Sequence, residues 1–147
     1  MARLLDSVLV IDVESTCWEG PPPAGQTSEI IEVGLCVLDL KSLDRSDRRS
    51  ILVRPARSEV SSFCTQLTTL TSSQVAIGIR LHEAVRILEL DYGSRDRLFA
   101  SWGDYDRNQF RRNCNDYGLD YPFGPTHLNV KNLFSVAFGL PKEVGLP

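Results

Sequence analysis

Val8-Leu9-Val10-Ile11-Asp12-Val13-Glu14 is the stretch that decides how this chain is read. Its first four residues form a short apolar run rich in β-branched side chains. Such a run predicts a central strand buried on both faces. The strand ends in two carboxylates. Residues two apart on a strand project from the same face, so Asp12 and Glu14 stand side by side. Two such groups at the end of a buried strand repel each other unless something neutralises them. A hard divalent cation does this well, because Mg²⁺ and Mn²⁺ prefer carboxylate and water oxygens. A DxE pair also occurs at strand ends that merely face solvent, so the rest of the chain has to decide between the two.

Working outward, Pro21 to Gly25 is a loop by composition. Ile30 to Leu40 is a second strand, with polar Glu32 near its start. Lys41 to Arg49 reads as a charged turn, and Ser50 to Val53 as a third strand closed by Pro55. Pro55 to Ser73 is polar and turn-rich. Leu81, Ala84, Val85 and Leu88 recur at helical spacing and predict a helix over Leu81 to Leu90. Arg97 to Trp102 is a fourth strand. A helix from Tyr105 to Tyr117 follows, stopped by Gly118. Thr126 to Val130 forms a short fifth strand, and Val130 to Phe138 a last helix. Three strands and then alternating helices and strands predict an α/β fold, a mixed sheet with helices packed on it. Neither GxGxxG nor GxxxxGK[ST] is present, so both phosphate-cradle motifs are absent.

The chain has 147 residues, a net charge of −3 and 42% apolar residues. That length suits a single domain, 1–147, with a core of its own. The charge excludes a polycation that coats nucleic acid without a defined site. No apolar run reaches the roughly 20 residues of a membrane helix. Met1 to Asp6 resembles a signal peptide for only a few residues. The four cysteines, Cys17, Cys36, Cys64 and Cys114, lack zinc-site spacing, and three of them sit inside or beside apolar segments, which suits buried thiols in a reducing cytoplasm.

A second acidic signal lies in Ser101-Trp102-Gly103-Asp104-Tyr105-Asp106. Asp104 sits where an acid caps a helix N-terminus. Asp106 then falls in the first turn, free to point at the end of the first strand.

Val10-Ile11-Asp12-Val13-Glu14-Ser15-Thr16 resembles the first motif of the DEDD 3′–5′ exonucleases, in the branch whose third motif carries a histidine (DEDDh). Phe63-Cys64-Thr65-Gln66-Leu67-Thr68 with Leu70-Thr71 resembles the segment after the third strand in the branch of the histone-mRNA 3′ exonuclease and bacterial sporulation-inhibitor-type relatives. Phe99 to Asp106, followed by Phe110, resembles the second motif. The likeness runs in order from Val8 to Leu140. It implies an RNase H-like five-stranded sheet flanked by helices. It implies hydrolysis of phosphodiester bonds at the 3′ ends of single-stranded RNA or DNA, with two Mg²⁺ or Mn²⁺ ions. Asp12, Glu14 and Asp106 match the metal-binding catalytic carboxylates. Ser15 and Thr16 match backbone and hydroxyl contacts to the 3′ nucleotide, with a plain turn role the other reading. Phe63 and Tyr105 match aromatics near the terminal base, with core packing the other reading of Phe63.

The family pattern closes with a histidine and an aspartate on a C-terminal helix, and this chain reads as a domain lacking that helix. Weak or absent activity is the expectation, as is apolar surface on that flank through which copies self-associate. A catalytically degenerate nuclease-like module that binds nucleic acid or a protein is the alternative. His127 reads as a structural residue, and His82 as a surface one. Arg107, Arg111 and Arg112 read as a solvated helix face.

Overall fold

A computed structural model describes residues 4–146, so Met1 to Arg3 of the segment compared with a signal peptide lie outside the described residues. Strand β1 (Leu4–Ser15) is the middle of a sheet ordered β3-β2-β1-β4-β5. It pairs antiparallel with β2 (Ile30–Asp39), which pairs antiparallel with β3 (Arg45–Leu52). On its other side it runs parallel to β4 (Arg97–Ser101), which is parallel to β5 (His127–Asn129). The expected mixed five-stranded sheet is therefore present.

Burial on both faces of β1 holds only near Val8 and Leu9. Beyond them the strand alternates. Leu9, Ile11 and Val13 are buried, Val10 and Glu14 half-buried, and Asp12 exposed. The buried set packs with α3 (Leu81–Tyr92) and α4 (Tyr105–Asp116) through Leu81, Ala84, Val85, Leu88, Phe110 and Cys114. Phe99 at the bottom of this core stacks on Phe123 with centroids 4.2 Å apart. The sheet thus has a covered face and an open one, and the carboxylates project from the open one.

Two expectations are corrected. The charged segment before Ser50 is mostly strand, because β3 begins at Arg45 and pairs with Leu38. β3 is an edge strand, and charged side chains are tolerated and protective there. The turn-rich stretch after Pro55 holds two short helices, α1 (Ser62–Thr68) and α2 (Ser72–Ala76). Their caps explain them. Ser61 Oγ accepts from the Cys64 N–H, and Thr71 and Gln74 form a reciprocal capping box. The last helix, α5 (Val130–Ala137), leaves Leu133, Val136 and Phe138 exposed. Among the described residues no helix is long and apolar enough to cross a membrane.

Glu29, 3% exposed, ties the entry of β2 to the segment after β3. It accepts the Ala56 and Arg57 N–H groups at 2.9 and 3.0 Å and the Tyr117 hydroxyl. Burial alone would push its carboxyl up, but the tyrosine and backbone donors together hold it below the ordinary glutamate value. Its contribution is therefore present above the unfolded-state value and is lost as pH falls through the folded one. Urea midpoints measured down the acid limb should show this loss in the native chain. Glu29→Gln should be less stable at neutral pH by about 1–3 kcal/mol and show a flatter acid limb; parallel limbs would remove Glu29 from the account.

Candidate active site

The site is built where β1 ends. Asp12 and Glu14 share the open face, and Asp106 reaches them from the first turn of α4. Gly103 makes that approach. Its φ of 97° turns the chain sharply between β4 and α4. Asp106 is then 4% exposed, and its Oδ1 accepts the Val13 N–H at 2.8 Å. The helix carboxylate is thereby pinned to the backbone of the residue between Asp12 and Glu14, so it points at the end of the first strand as its first-turn position predicts.

The three groups repel one another. Burial pushes Glu14 above its ordinary range, and the charges of Asp12, Glu32 and Asp106 push it further. Asp12 is raised by its surroundings and by Glu32. Asp106 is raised by burial and by Asp12, against the lowering effect of the Val13 N–H. Among the described residues none of the three forms an ion pair with a lysine or arginine. Among the described residues no trio of His, Cys, Asp or Glu closes into a ready cage for an ion. The donor set nonetheless fits a hard divalent cation, since it is all carboxylate and its mutual repulsion is unrelieved.

Glu32 was legible only as a polar residue in a strand. Register places it directly opposite Glu14, and Ser50 donates its hydroxyl to it. Its position on the polar side of β2's alternation is the signal that could have found it.

The nucleotide-side residues divide. At the Glu14–Ser15 step the β1–β2 register shifts, and Ser15 turns inward to 4% exposure. Its Oγ is buried and has no hydrogen-bond partner among the described residues. Thr16 is fully buried, and its hydroxyl donates to Thr27 O at 3.2 Å while accepting the Glu29 N–H at 2.9 Å. Through these bonds it staples the β1–β2 loop. Phe63 lies on α1, half-buried and outside both core clusters, so core packing does not explain it. The helix is moored to the end of β1, with Ser61 Oγ donating to Cys17 O at 2.6 Å and Cys64 Sγ to Ser15 O at 3.5 Å. Tyr105 is 52% exposed at the start of α4.

Asp104 occupies the N-cap position of α4, yet its side chain makes no capping bond. It pairs instead with Arg107 at 3.1 Å and lies 3.6 Å from His127 Nδ1. His127 is structural, as read: Nε2 meets Ser101 Oγ at 2.8 Å, and the ring packs on Phe99. His82 is exposed. Arg111 lies over the Tyr121 ring, and Arg112 bonds Gln109, so the α4 arginines have local partners.

Sequence comparison finds human 3′–5′ exoribonuclease 1, 28% identical over 148 aligned residues that take in 94% of this chain and 42% of the relative. The probable 3′–5′ exonuclease KapD of Bacillus subtilis is 31% identical over 138 residues, covering 88% of this chain and 65% of that protein. The chain thus spans less than half the length of the human relative. The nuclease domain of 3′hExo, described as a DEDDh family member bound to rAMP, superposes with a TM-score of 0.79 at 27% identity, over 96% of this chain and 74% of that one. Cell-death related nuclease 4 superposes with a TM-score of 0.71 at 14% identity, a likeness of fold alone. No family model matches the chain. The mixed sheet with its flanking helices is the RNase H-like architecture of these nucleases.

Proposed function

We propose, from the premise that the chain belongs to the DEDDh 3′–5′ exonuclease family, that its open sheet face hydrolyses phosphodiester bonds at the 3′ ends of single-stranded nucleic acid. The observation that carries this reading is the pinning of Asp106 to the Val13 N–H, between Asp12 and Glu14. An RNA end is the first substrate to test, since 3′hExo was solved bound to rAMP.

Asp12, Glu14 and Asp106 would hold Mg²⁺ or Mn²⁺, two ions in the family pattern. Bound there, such ions acidify an attacking water and offset charge on the leaving 3′ oxygen. Ser15, at the register shift where β1 ends, would contact the terminal nucleotide. Phe63 and Tyr105 offer rings to the terminal base, where stacking is worth roughly 1–3 kcal/mol and tolerates any sequence. Thr16 holds the loop that carries Ser15. His127 is engaged with Ser101 and takes no part as a base. A cytoplasmic setting belongs to the same proposal, because all four cysteines are free thiols.

The test is a 3′-labelled oligoribonucleotide incubated with the chain and Mn²⁺. Label should leave with the first 3′ nucleotide, and Asp12→Ala should slow its release by on the order of a hundredfold or more. Shortening that survives Asp12→Ala removes the assignment. A second reading, a module that binds without cutting, is favoured by one observation: His127 is engaged with Ser101 and packed on Phe99. Mn²⁺ and oligonucleotide binding without any release of label would select it.

A further inference from the structure

A concavity of about 490 Å³ opens on the same sheet face beyond the carboxylates, lined by Val10, Asp12, Cys36, Arg45, Arg48 and Ser50 among others. Its basic rim comes from an irregularity in β3. Ser50 faces Gly34 and Arg49 faces Leu35; after a register shift Ser46 faces Val37 and Arg45 faces Leu38. Between these stretches Asp47 and Arg48 stand against the single residue Cys36. Asp47 has a φ of 52°, the left-handed backbone of a β-bulge. In a regular strand Arg45 and Arg48, three apart, would project from opposite faces. The extra residue reverses the alternation, and both line the groove with Asp12. Arg49 also borders the concavity, but it faces Leu35 across the ladder and its side chain pairs with Asp91 at 3.4 Å.

Arg45 and Arg48 are exposed and form no ion pair among the described residues. Two unpaired cations beside a repelling carboxylate cluster fit an anion that runs past both. By strand spacing Arg48 lies about 12 Å and Arg45 about 17 Å from the position of Asp12. Val10 and Cys36 give the floor an apolar surface, and Gly34, opposite Asp12, adds no side chain to block it.

We propose that this groove is the track for the sugar–phosphate backbone of the substrate strand a few nucleotides upstream of its 3′ end, with Arg45 and Arg48 as its phosphate contacts. This rests on the 3′-end reading of the carboxylate site and extends it to how the strand is held.

The test is fluorescence anisotropy of the whole chain with a labelled single-stranded decamer and a labelled dinucleotide, in Ca²⁺ and over a range of NaCl. For Arg45→Gln/Arg48→Gln, decamer affinity at low salt should fall about tenfold and the salt slope should become shallower by about 1.4, the loss of two single-strand phosphate contacts. Dinucleotide affinity should not change. Arg49→Gln, whose side chain is engaged by Asp91, should leave the decamer slope as it is. A double variant that binds the decamer with native affinity and slope overturns the proposal. An equal loss for the dinucleotide also overturns it, because the effect then lies at the carboxylates or in the fold. A native chain that binds neither oligonucleotide fails at the 3′-end reading itself, and takes the groove with it.

Discussion

Asp106→Asn is expected to stabilise the metal-free chain and to disable it in the same step. In EDTA at neutral pH its thermal midpoint should rise by about 3 °C, the shift that roughly 1 kcal/mol produces in a domain of this size. The asparagine keeps an oxygen for the Val13 N–H, so the 2.8 Å bond that holds α4 to β1 is retained. What disappears is a charge that burial and Asp12 both oppose. The sign follows from the raised folded value. The native state prefers the protonated acid, so the charge costs stability above that value and nothing below the unfolded one. The gap between native chain and variant should therefore close as pH falls. In Mn²⁺ the order should invert, because the native chain gains midpoint by binding the ion and the variant does not. Cleavage should fall by on the order of a hundredfold or more. A midpoint that drops in EDTA would show that Asp106 is held for structure alone.

Asn113→Leu should produce the largest loss of stability. The side chain is 1% exposed and works on both sides of the β2 entry. Its Oδ1 accepts the Ile30 N–H at 2.8 Å, and its Nδ2 donates to Ser28 O at 2.9 Å. Gln109, one turn earlier, also donates to Ser28 O at 2.9 Å. Leucine fills the volume but leaves a buried donor orphaned and a carbonyl under-served. Each such group costs about 1–3 kcal/mol, so the denaturant midpoint should drop by the equivalent of about 2–4 kcal/mol. Asn115→Leu on the exposed side of the same helix is the control. Equal midpoints for the two variants would remove this hydrogen-bonded clamp as the reason α4 lies where it does. Because α4 carries Asp106, Asn113→Leu should also lower cleavage at temperatures where it remains folded.

The sequence is most informative where chemistry and periodicity coincide. Asp12 and Glu14 follow from alternation along one strand, and Asp106 from its place one turn into a helix. The short helices α1 and α2 were legible in principle, since Thr71-Ser72-Ser73-Gln74 has the spacing of a capping box. Their brevity hid them, because five and seven residues show no hydrophobic period. β3 was misread because an edge strand carries charges like a turn. Asp104 was misread because the capping position was right but Arg107 holds its carboxylate.

By itself the sequence determined the order of the elements around the core and the carboxylates Asp12, Glu14 and Asp106 on which the proposed function rests, since these depend on neighbours along the chain. Only the tertiary structure decided what meets across the sheet: Glu32 opposite Glu14, the clamp of Asn113 on Ile30, and Arg45 and Arg48 on one face. Those placements depend on strand register, and a shift of one residue moves a side chain to the other face. Pairing between distant segments sets that register, and a single inserted residue in β3 was enough to reverse it.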